Sequence, residues 1–174
     1  MTYDKKGLNL FSWSGLIDTN ILLGDLFRVP NLNSGQMEPL ISALTREEEE
    51  MFKNMMRRLH TIFQYARERD VRVMVDAEQT YFQPAISRLT LEMMKKYNQR
   101  KAIVFNTYQC YLKETFNNLS LDLEQAYRQN FYFGAKLERA RAEELGYEDP
   151  INPSFDATTD MYHQCLEESL RRIK

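Results

Sequence analysis

Apolar and polar positions follow a helical period in the first clearly patterned part of the chain. Thr45 is followed by Glu48, which is the capping-box pattern of a helix start, and acidic residues fill the first turn. Apolar residues then recur every three or four positions to about residue 69, which predicts one long helix with a single buried face. The apolar residues of that predicted face are Met51, Met55, Leu59, Ile62, Phe63 and Ala66.

After that helix, short runs rich in β-branched and aromatic residues alternate with longer helical periods. The short runs predict strands, and the return of three- and four-residue apolar spacing predicts helices. Upstream, the segment 29–39 (VPNLNSGQMEP) holds two prolines, a glycine and several turn-forming residues, which predicts an ordered loop. The predicted strands are 71–75, 102–109 and 131–137, and the predicted helices are 84–98, 110–130 (as one helix, or as two with a break near 117–120), 138–147 and 157–174.

The strict alternation of helix and strand predicts a parallel sheet with right-handed crossovers. Three strands cannot close an eight-stranded barrel, so the sheet is either open or part of such a barrel. In both architectures the chemistry lies at the carboxyl ends of the strands. The polar residues at those ends are Asp76 and Glu78 after the first strand, Asn106 and Gln109 on the second, and Lys136 on the third.

The two acids after the first strand fit either a catalytic pair or a polar strand terminus. On a strand, Asp76 and Glu78 point to the same side, so each carboxylate raises the pKa of the other unless a cation lies between them. Lys136 is the candidate cation, and its alternative is a solvated lysine at a strand edge.

The amides of Asn106 and Gln109 have two interpretations of equal weight. A primary amide offers both a donor and an acceptor, so it can bind the polar edge of a heterocyclic ring. Alternatively, the two side chains cap the helix that follows.

Composition excludes several classes of function. The chain carries 23 basic and 25 acidic side chains, a net charge of −2, so no general electrostatic case exists for nucleic acid. Two cysteines and two histidines, in no metal-binding spacing, predict no metal site and a reducing compartment. Of these cysteines, Cys110 is expected to be a small buried hydrophobe. No apolar run has the length of a membrane span, and the N-terminus shows no targeting pattern.

Several long segments of the sequence resemble the eukaryotic mitochondrial proline dehydrogenases (proline oxidases). They are DAEQTYFQPA (76–85), NTYQCYLK (106–113), FGAKL (133–137) and ERARAEELGYEDPINP (138–153), in the family's order. The resemblance implies a (β/α)₈ flavoenzyme that oxidises L-proline to pyrroline-5-carboxylate with FAD and passes electrons to quinone. It also implies a mitochondrial location on the matrix side, with inner-membrane association. Hydroxyproline dehydrogenases have a similar arrangement of these segments, but DAEQTYFQPA and NTYQCYLK are more similar to the proline enzymes.

The resemblance also assigns roles to individual positions. It implies that Asp76 and Lys136 are the active-site residues, and that Lys136 lies against the reactive part of the flavin. It implies that Ala77 and Gln109 contact the flavin. A cation there favours the reduced, anionic flavin, and Asp76 can hold that cation in place.

The sequence departs from the family pattern at the end of the third strand. Leu137 leads directly into Glu138, where the family carries a VRGAY-like segment, and the later strands and paired arginines of the family are not in this chain. We therefore expect an N-terminal segment and loop over 1–43 and a partial (β/α)₈ barrel over 44–174. The alternative to an active enzyme is an inactive family member that pairs with a full-length homologue.

Overall fold

The computed structural model describes residues 28–31, 34–39, 44–139, 152 and 154–172. The chain divides into two compact units, residues 1–62 and residues 63–174. Each unit is described by itself.

The first unit contains an antiparallel β-hairpin where the sequence predicts a loop. Strands β1 (Arg28–Pro30) and β2 (Met37–Pro39) pair with Arg28 opposite Pro39. The Asn31 N–H donates to the Gln36 carbonyl at 2.8 Å, and Gly35 adopts a φ of +67° that favours glycine. The loop prediction was therefore wrong for the two ends of 29–39, because the turn formers cluster only at its centre and leave three residues on each side free to pair.

Helix α1 (Arg46–Arg69) begins and ends as predicted and crosses the boundary between the units. Its capping box is formed: the Thr45 N–H donates to the Glu48 carboxylate at 2.8 Å, and the Glu48 N–H donates to the Thr45 hydroxyl at 3.2 Å.

The buried face of α1 is rotated from the predicted one. Met51 is 63% exposed, and Met55 and Ile62 are also exposed. Phe63 and Ala66 are buried, as predicted. The apolar row that continues from them in three- and four-residue steps passes through Met56 and not through Met55. The buried residues of this row are Met56, Phe63 and Ala66, with Leu59 half-buried.

The second unit is built on a parallel sheet, as the alternation predicts. Strands β3 (Val73–Val75), β4 (Val104–Gln109) and β5 (Ala135–Glu138) lie in the order β3-β4-β5. Each is shorter at its start than the predicted strand. Before β5, a β-carbon on Gly134 would collide with the Val104 carbonyl oxygen and the Phe105 ring, so only glycine permits this close approach.

Three further helices alternate with these strands along the chain: α2 (Gln83–Tyr97), α3 (Thr115–Gln129) and α4 (Phe155–Arg171). The break proposed near 117–120 is absent, because Leu119, Leu123 and Ala126 form one buried stripe through it. Glu138 closes β5 instead of opening the predicted helix 138–147, and residues 140–147 of that helix lie outside the described residues.

A buried cluster joins α3 and α4 to the strand that carries the candidate site residues. It contains Tyr108, Cys110, Leu119, Leu123 and Cys165. The pKa of Cys110 is raised by its hydrogen bond with the Cys165 side chain and by burial, so Cys110 remains a thiol in the core at neutral pH. The carboxyl end of β4 is therefore anchored from behind by a packed core.

Candidate active site

The three strand ends meet at one edge of the sheet, as parallel pairing requires. The register places Val75 opposite Asn106 and Thr107 opposite Lys136. Asp76 directly follows Val75, so the sheet brings together residues that are 29 or more positions apart in the sequence.

Asp76 and Lys136 form an ion pair across this edge. The Lys136 ammonium donates to Asp76 Oδ1 at 3.1 Å. This hydrogen bond is the main cause that holds the pKa of Asp76 below its usual value, and the Ala77 N–H and the Thr107 hydroxyl contribute in the same direction. Asp76 is therefore an anion, and it fixes the position of a half-buried cation.

Glu78 is not among the groups that shift the pKa of Asp76. Both residues lie beyond β3 in the connection to α2, and the pKa of Asp76 is lowered, which is the opposite of the effect of a neighbouring carboxylate. Glu78 is exposed, and the part of it that the site uses is its backbone. Its N–H donates to the Gln83 side chain, and its carbonyl accepts from Gln109.

Gln109 is buried at the carboxyl end of β4, and its two polar side-chain atoms differ in their hydrogen bonding. Its Nε2 donates to the Glu78 carbonyl at 3.2 Å and to the Tyr111 hydroxyl at 2.8 Å. Its Oε1 is buried and has no hydrogen-bond partner within the described part of the chain. A buried acceptor without a partner is costly, so this oxygen marks a place where a donor belongs.

The helix-capping interpretation of Asn106 and Gln109 was wrong. The N-cap position of α3 is Glu114, and no side chain caps it. The Asn106 Nδ2 instead donates to the Ser87 hydroxyl at 3.1 Å, toward α2.

Sequence reasoning missed three residues that support the site: Thr107, Gln83 and Ser87. The Thr107 hydroxyl donates to the Val75 carbonyl at 2.9 Å, which ties the end of β3 to β4. Gln83 and Ser87 lie in the first turns of α2, just after the site connection, and several other polar residues of that helix gave no means of telling them apart.

Other kinds of site are not found among these residues. Within the ranges that the structure describes, no group of three or more His, Cys, Asp or Glu residues could hold a metal ion. No helix in those ranges is long and apolar enough to cross a bilayer.

The fold of the chain is similar to that of a solved structure. The match is to proline utilization A (PutA) from Bdellovibrio bacteriovorus inactivated by N-propargylglycine, with a TM-score of 0.58 and 19% sequence identity. It covers 72% of this chain and 14% of that protein. At this identity the match concerns the fold: an α/β arrangement with a parallel sheet and flanking helices.

Curated relatives are much closer in sequence. The chain is 64% identical to "Proline dehydrogenase 1, mitochondrial" of Drosophila melanogaster, over 100% of this chain and 27% of that protein. It is 41% identical to "Hydroxyproline dehydrogenase" of Xenopus laevis, over 78% of this chain and 31% of that protein. The chain thus spans about a third or less of the length of the relatives it matches.

The match to the fly protein also contains a gap on the side of this chain. The alignment extends over 183 positions, whereas the chain has 174 residues, so the fly protein carries residues within the matched range that have no counterpart here. The sequence profile of the family described as "Proline dehydrogenase" matches residues 15–174. Together with the 64% identity, this match shows that the chain belongs to the proline dehydrogenase family.

Proposed function

We propose that this chain is part of an FAD-dependent proline dehydrogenase, which oxidises L-proline to pyrroline-5-carboxylate in proline catabolism and passes electrons to a quinone. Membership of the family and the identity to a named proline dehydrogenase support the proposal. The observation that carries it is local: the Asp76–Lys136 ion pair lies on strand ends adjacent to Gln109, whose Oε1 is a buried acceptor without a partner.

These residues fit a flavin. The isoalloxazine ring has an imide N–H, which complements the open Oε1 of Gln109. When bound, FAD supplies the oxidising power, since it takes up the two electrons that proline loses. The cation of Lys136 favours the negatively charged reduced ring, and Asp76 holds that cation in place. Ala77 completes the proposed contacts, and its N–H already orients the Asp76 carboxylate.

The wider architecture belongs to the same proposal. We infer that residues 44–174 contribute part of a (β/α)₈ barrel, preceded by an N-terminal segment over 1–43, because eight parallel strands close such a barrel and this sheet has three described strands. The printed name of the fly relative supports a mitochondrial location. We also propose association with the inner membrane on the matrix side, and the proposed quinone acceptor, which lies in a membrane, supports the membrane association.

Proline is preferred to hydroxyproline as the proposed substrate. The identity is 64% to a proline dehydrogenase and 41% to a hydroxyproline dehydrogenase. Dye reduction by the purified chain with each amino acid compares the two substrates directly.

Pairing with a longer homologue is the second proposal. Strands β3 and β5 each pair with β4 alone among the described strands, so each leaves one edge open to another strand. Co-purification of the tagged chain with a full-length homologue supports pairing, and its absence at micromolar concentrations contradicts it.

FAD binding is the direct test of the proposed site. The purified chain is titrated with FAD, and binding is measured from flavin fluorescence and the visible absorbance spectrum. Gln109→Leu removes the open acceptor, so we expect FAD affinity to fall on the order of 10-fold, about one hydrogen bond.

The control for this experiment is Gln129→Leu, the same change at the exposed end of α3, which we expect to leave FAD affinity unchanged. Urea unfolding of each variant shows whether it is folded. The absence of FAD binding by the folded wild-type chain contradicts the proposal for this chain, as does an unchanged affinity in a folded Gln109→Leu variant.

A further inference from the structure

The backbone of Glu78 is held from both sides by two glutamine side chains. Its N–H donates to Gln83 Oε1 at 2.9 Å, and its carbonyl accepts from Gln109 Nε2 at 3.2 Å. One glutamine belongs to α2 and the other to β4. The connection that begins at Asp76 is therefore fixed at a point two residues beyond the ion pair.

Gln83 is itself held by partners that lead back to the sheet. Its Nε2 donates to the Ser87 hydroxyl at 3.2 Å, one turn later on α2. The same hydroxyl accepts from the Asn106 side chain at 3.1 Å, and Asn106 is fully buried on β4. The hydrogen bonds thus form a closed circuit from Gln109 through Glu78, Gln83 and Ser87 to Asn106, three residues before Gln109 on the same strand.

This circuit determines which way the Gln109 amide faces. An amide has two N–H donors, and Gln109 uses its nitrogen on Glu78 and Tyr111, which leaves Oε1 as the open atom. If the Glu78 carbonyl were free to move, one of those two donors would lose its partner. The amide could then rotate, and the open acceptor would no longer have a fixed position.

The circuit also bears on Asp76. The Ala77 N–H binds the Asp76 carboxylate, and Ala77 directly precedes the residue that the two glutamines hold. The Asp76 side chain is exposed, so its orientation depends on the hydrogen bonds that it makes. Glu78, which the two glutamines hold, therefore restrains both the Gln109 amide and the Asp76 carboxylate.

We propose that Gln83 is a positioning residue of this site, which holds the Glu78 backbone so that the Gln109 acceptor and the Asp76 carboxylate keep fixed orientations. This inference rests on the proposed function, because Gln109 and Asp76 belong to the site proposed to bind the flavin. The hydrogen-bond circuit can be tested without any flavin.

The test compares two substitutions at Gln83 in the full chain. Gln83→Leu removes both of its hydrogen bonds. Gln83→Glu keeps an acceptor for the Glu78 N–H, and the Ser87 hydroxyl can turn to donate to its second oxygen. Gln99→Leu makes the first change at an exposed position just beyond α2 and serves as the control.

Three properties are measured by NMR without ligand: hydrogen exchange at the Glu78 amide, the side-chain amide signals of Gln109, and the titration of the Asp76 carboxyl. We expect Gln83→Leu to speed Glu78 exchange about 5- to 10-fold, the loss of one hydrogen bond, and to shift the Gln109 signals and the Asp76 titration. Gln83→Glu should restore values close to the wild type.

The outcomes separate a positioning role from a structural one. If Gln83→Leu lowers the urea midpoint but leaves the Gln109 and Asp76 signals unchanged, Gln83 only stabilises the fold and the inference is overturned. FAD titration of the same variants is read separately. Failure of the wild-type chain to bind FAD contradicts the proposed function, whereas the ligand-free signals decide the role of Gln83.

Discussion

Asp76 and Lys136 illustrate how single residues at a strand edge depend on one another for position. The Asp76 side chain is 72% exposed, so the ion pair contributes little to the stability of the fold. Its importance lies in geometry: the carboxylate holds the ammonium group at one place beside Gln109. The sequence allowed this partnership to be predicted, because Asp76 follows one strand of a parallel sheet and Lys136 lies on another.

Removal of the lysine should raise the pKa of Asp76. In Lys136→Met the carboxylate loses its main hydrogen-bond donor, so its pKa should return toward the ordinary aspartate value. The wild-type pair favours folding above the unfolded-state pKa and loses this contribution as the pH falls through the lower folded-state pKa, and the variant lacks that dependence. Carbon-13 NMR of the carboxyl group from pH 2 to pH 6 measures the change.

Lys101→Met is the matched control for this change, since Lys101 pairs with a different aspartate, Asp70. It should leave the titration of Asp76 as in the wild type. An Asp76 pKa that stays low in Lys136→Met would show that the Ala77 N–H and Thr107 hold the carboxylate without the lysine.

Among the elements of the fold, the junction after α2 depends on one fully buried side chain, Asn98. Its Nδ2 donates to the carbonyls of Val104 and Tyr132, at 2.8 and 2.9 Å. Its Oδ1 accepts from the N–H groups of Ile103 and Val104, at 2.9 and 2.8 Å. The end of α2, the start of β4 and the approach to β5 are thus joined by a single amide with every group satisfied.

Replacement of this amide should be strongly destabilising. Asn98→Ala leaves several buried backbone groups without partners, so we expect the free energy of unfolding to fall on the order of 3 kcal/mol. Urea unfolding followed by circular dichroism measures it. Asn118→Ala, at an exposed position of α3, should change stability by less than about 0.5 kcal/mol, and a comparable loss in both variants would contradict the role of Asn98.

The elements themselves could be predicted to very different degrees. The spacing of apolar residues alone predicted α1, α2 and the parallel order of strands, because those patterns depend on local spacing and burial. The hairpin was missed since prolines and turn formers predict a loop equally well. The role of Asn98 could not be predicted, because an asparagine at a helix end is usual and the four groups that it binds come from two separate segments, residues 103–104 and residue 132.

At the scale of the whole molecule, periodicity predicted which polar residues meet at one edge of the sheet, but not the partners of each side chain. Periodicity indicated polar strand ends but could not choose between ring contact and helix capping for Gln109. The supporting side chains of α2 could not be predicted because their hydrogen bonds depend on the exact register of β3 against β4.

One half-buried acid should make the stability of the molecule depend on pH in an unusual direction. Asp122 on α3 accepts from the hydroxyl of the buried Tyr108 at 2.7 Å. Burial raises the pKa of Asp122 to about 6, although the Tyr108 hydroxyl and the charge of Arg88 oppose the rise. The folded state therefore binds this proton more tightly than the unfolded state, so stability from this group falls as the pH rises from about 4 to about 6 and stays low above it.

Asp122→Asn isolates this contribution, since asparagine keeps an acceptor for Tyr108 and does not titrate. The stability of the variant relative to the wild type should increase with pH from about 4 and level off above about 6.5, with a gain of up to about 3 kcal/mol. Urea unfolding at half-unit steps of pH measures both proteins, and Asp160→Asn provides the same change at an exposed position of α4. Since the contributions of Asp76 and Glu48 have the opposite sign and are common to all three proteins, they cancel in the difference. A difference that stays flat between pH 4 and pH 6.5 would show that Asp122 is charged in the folded core throughout this range.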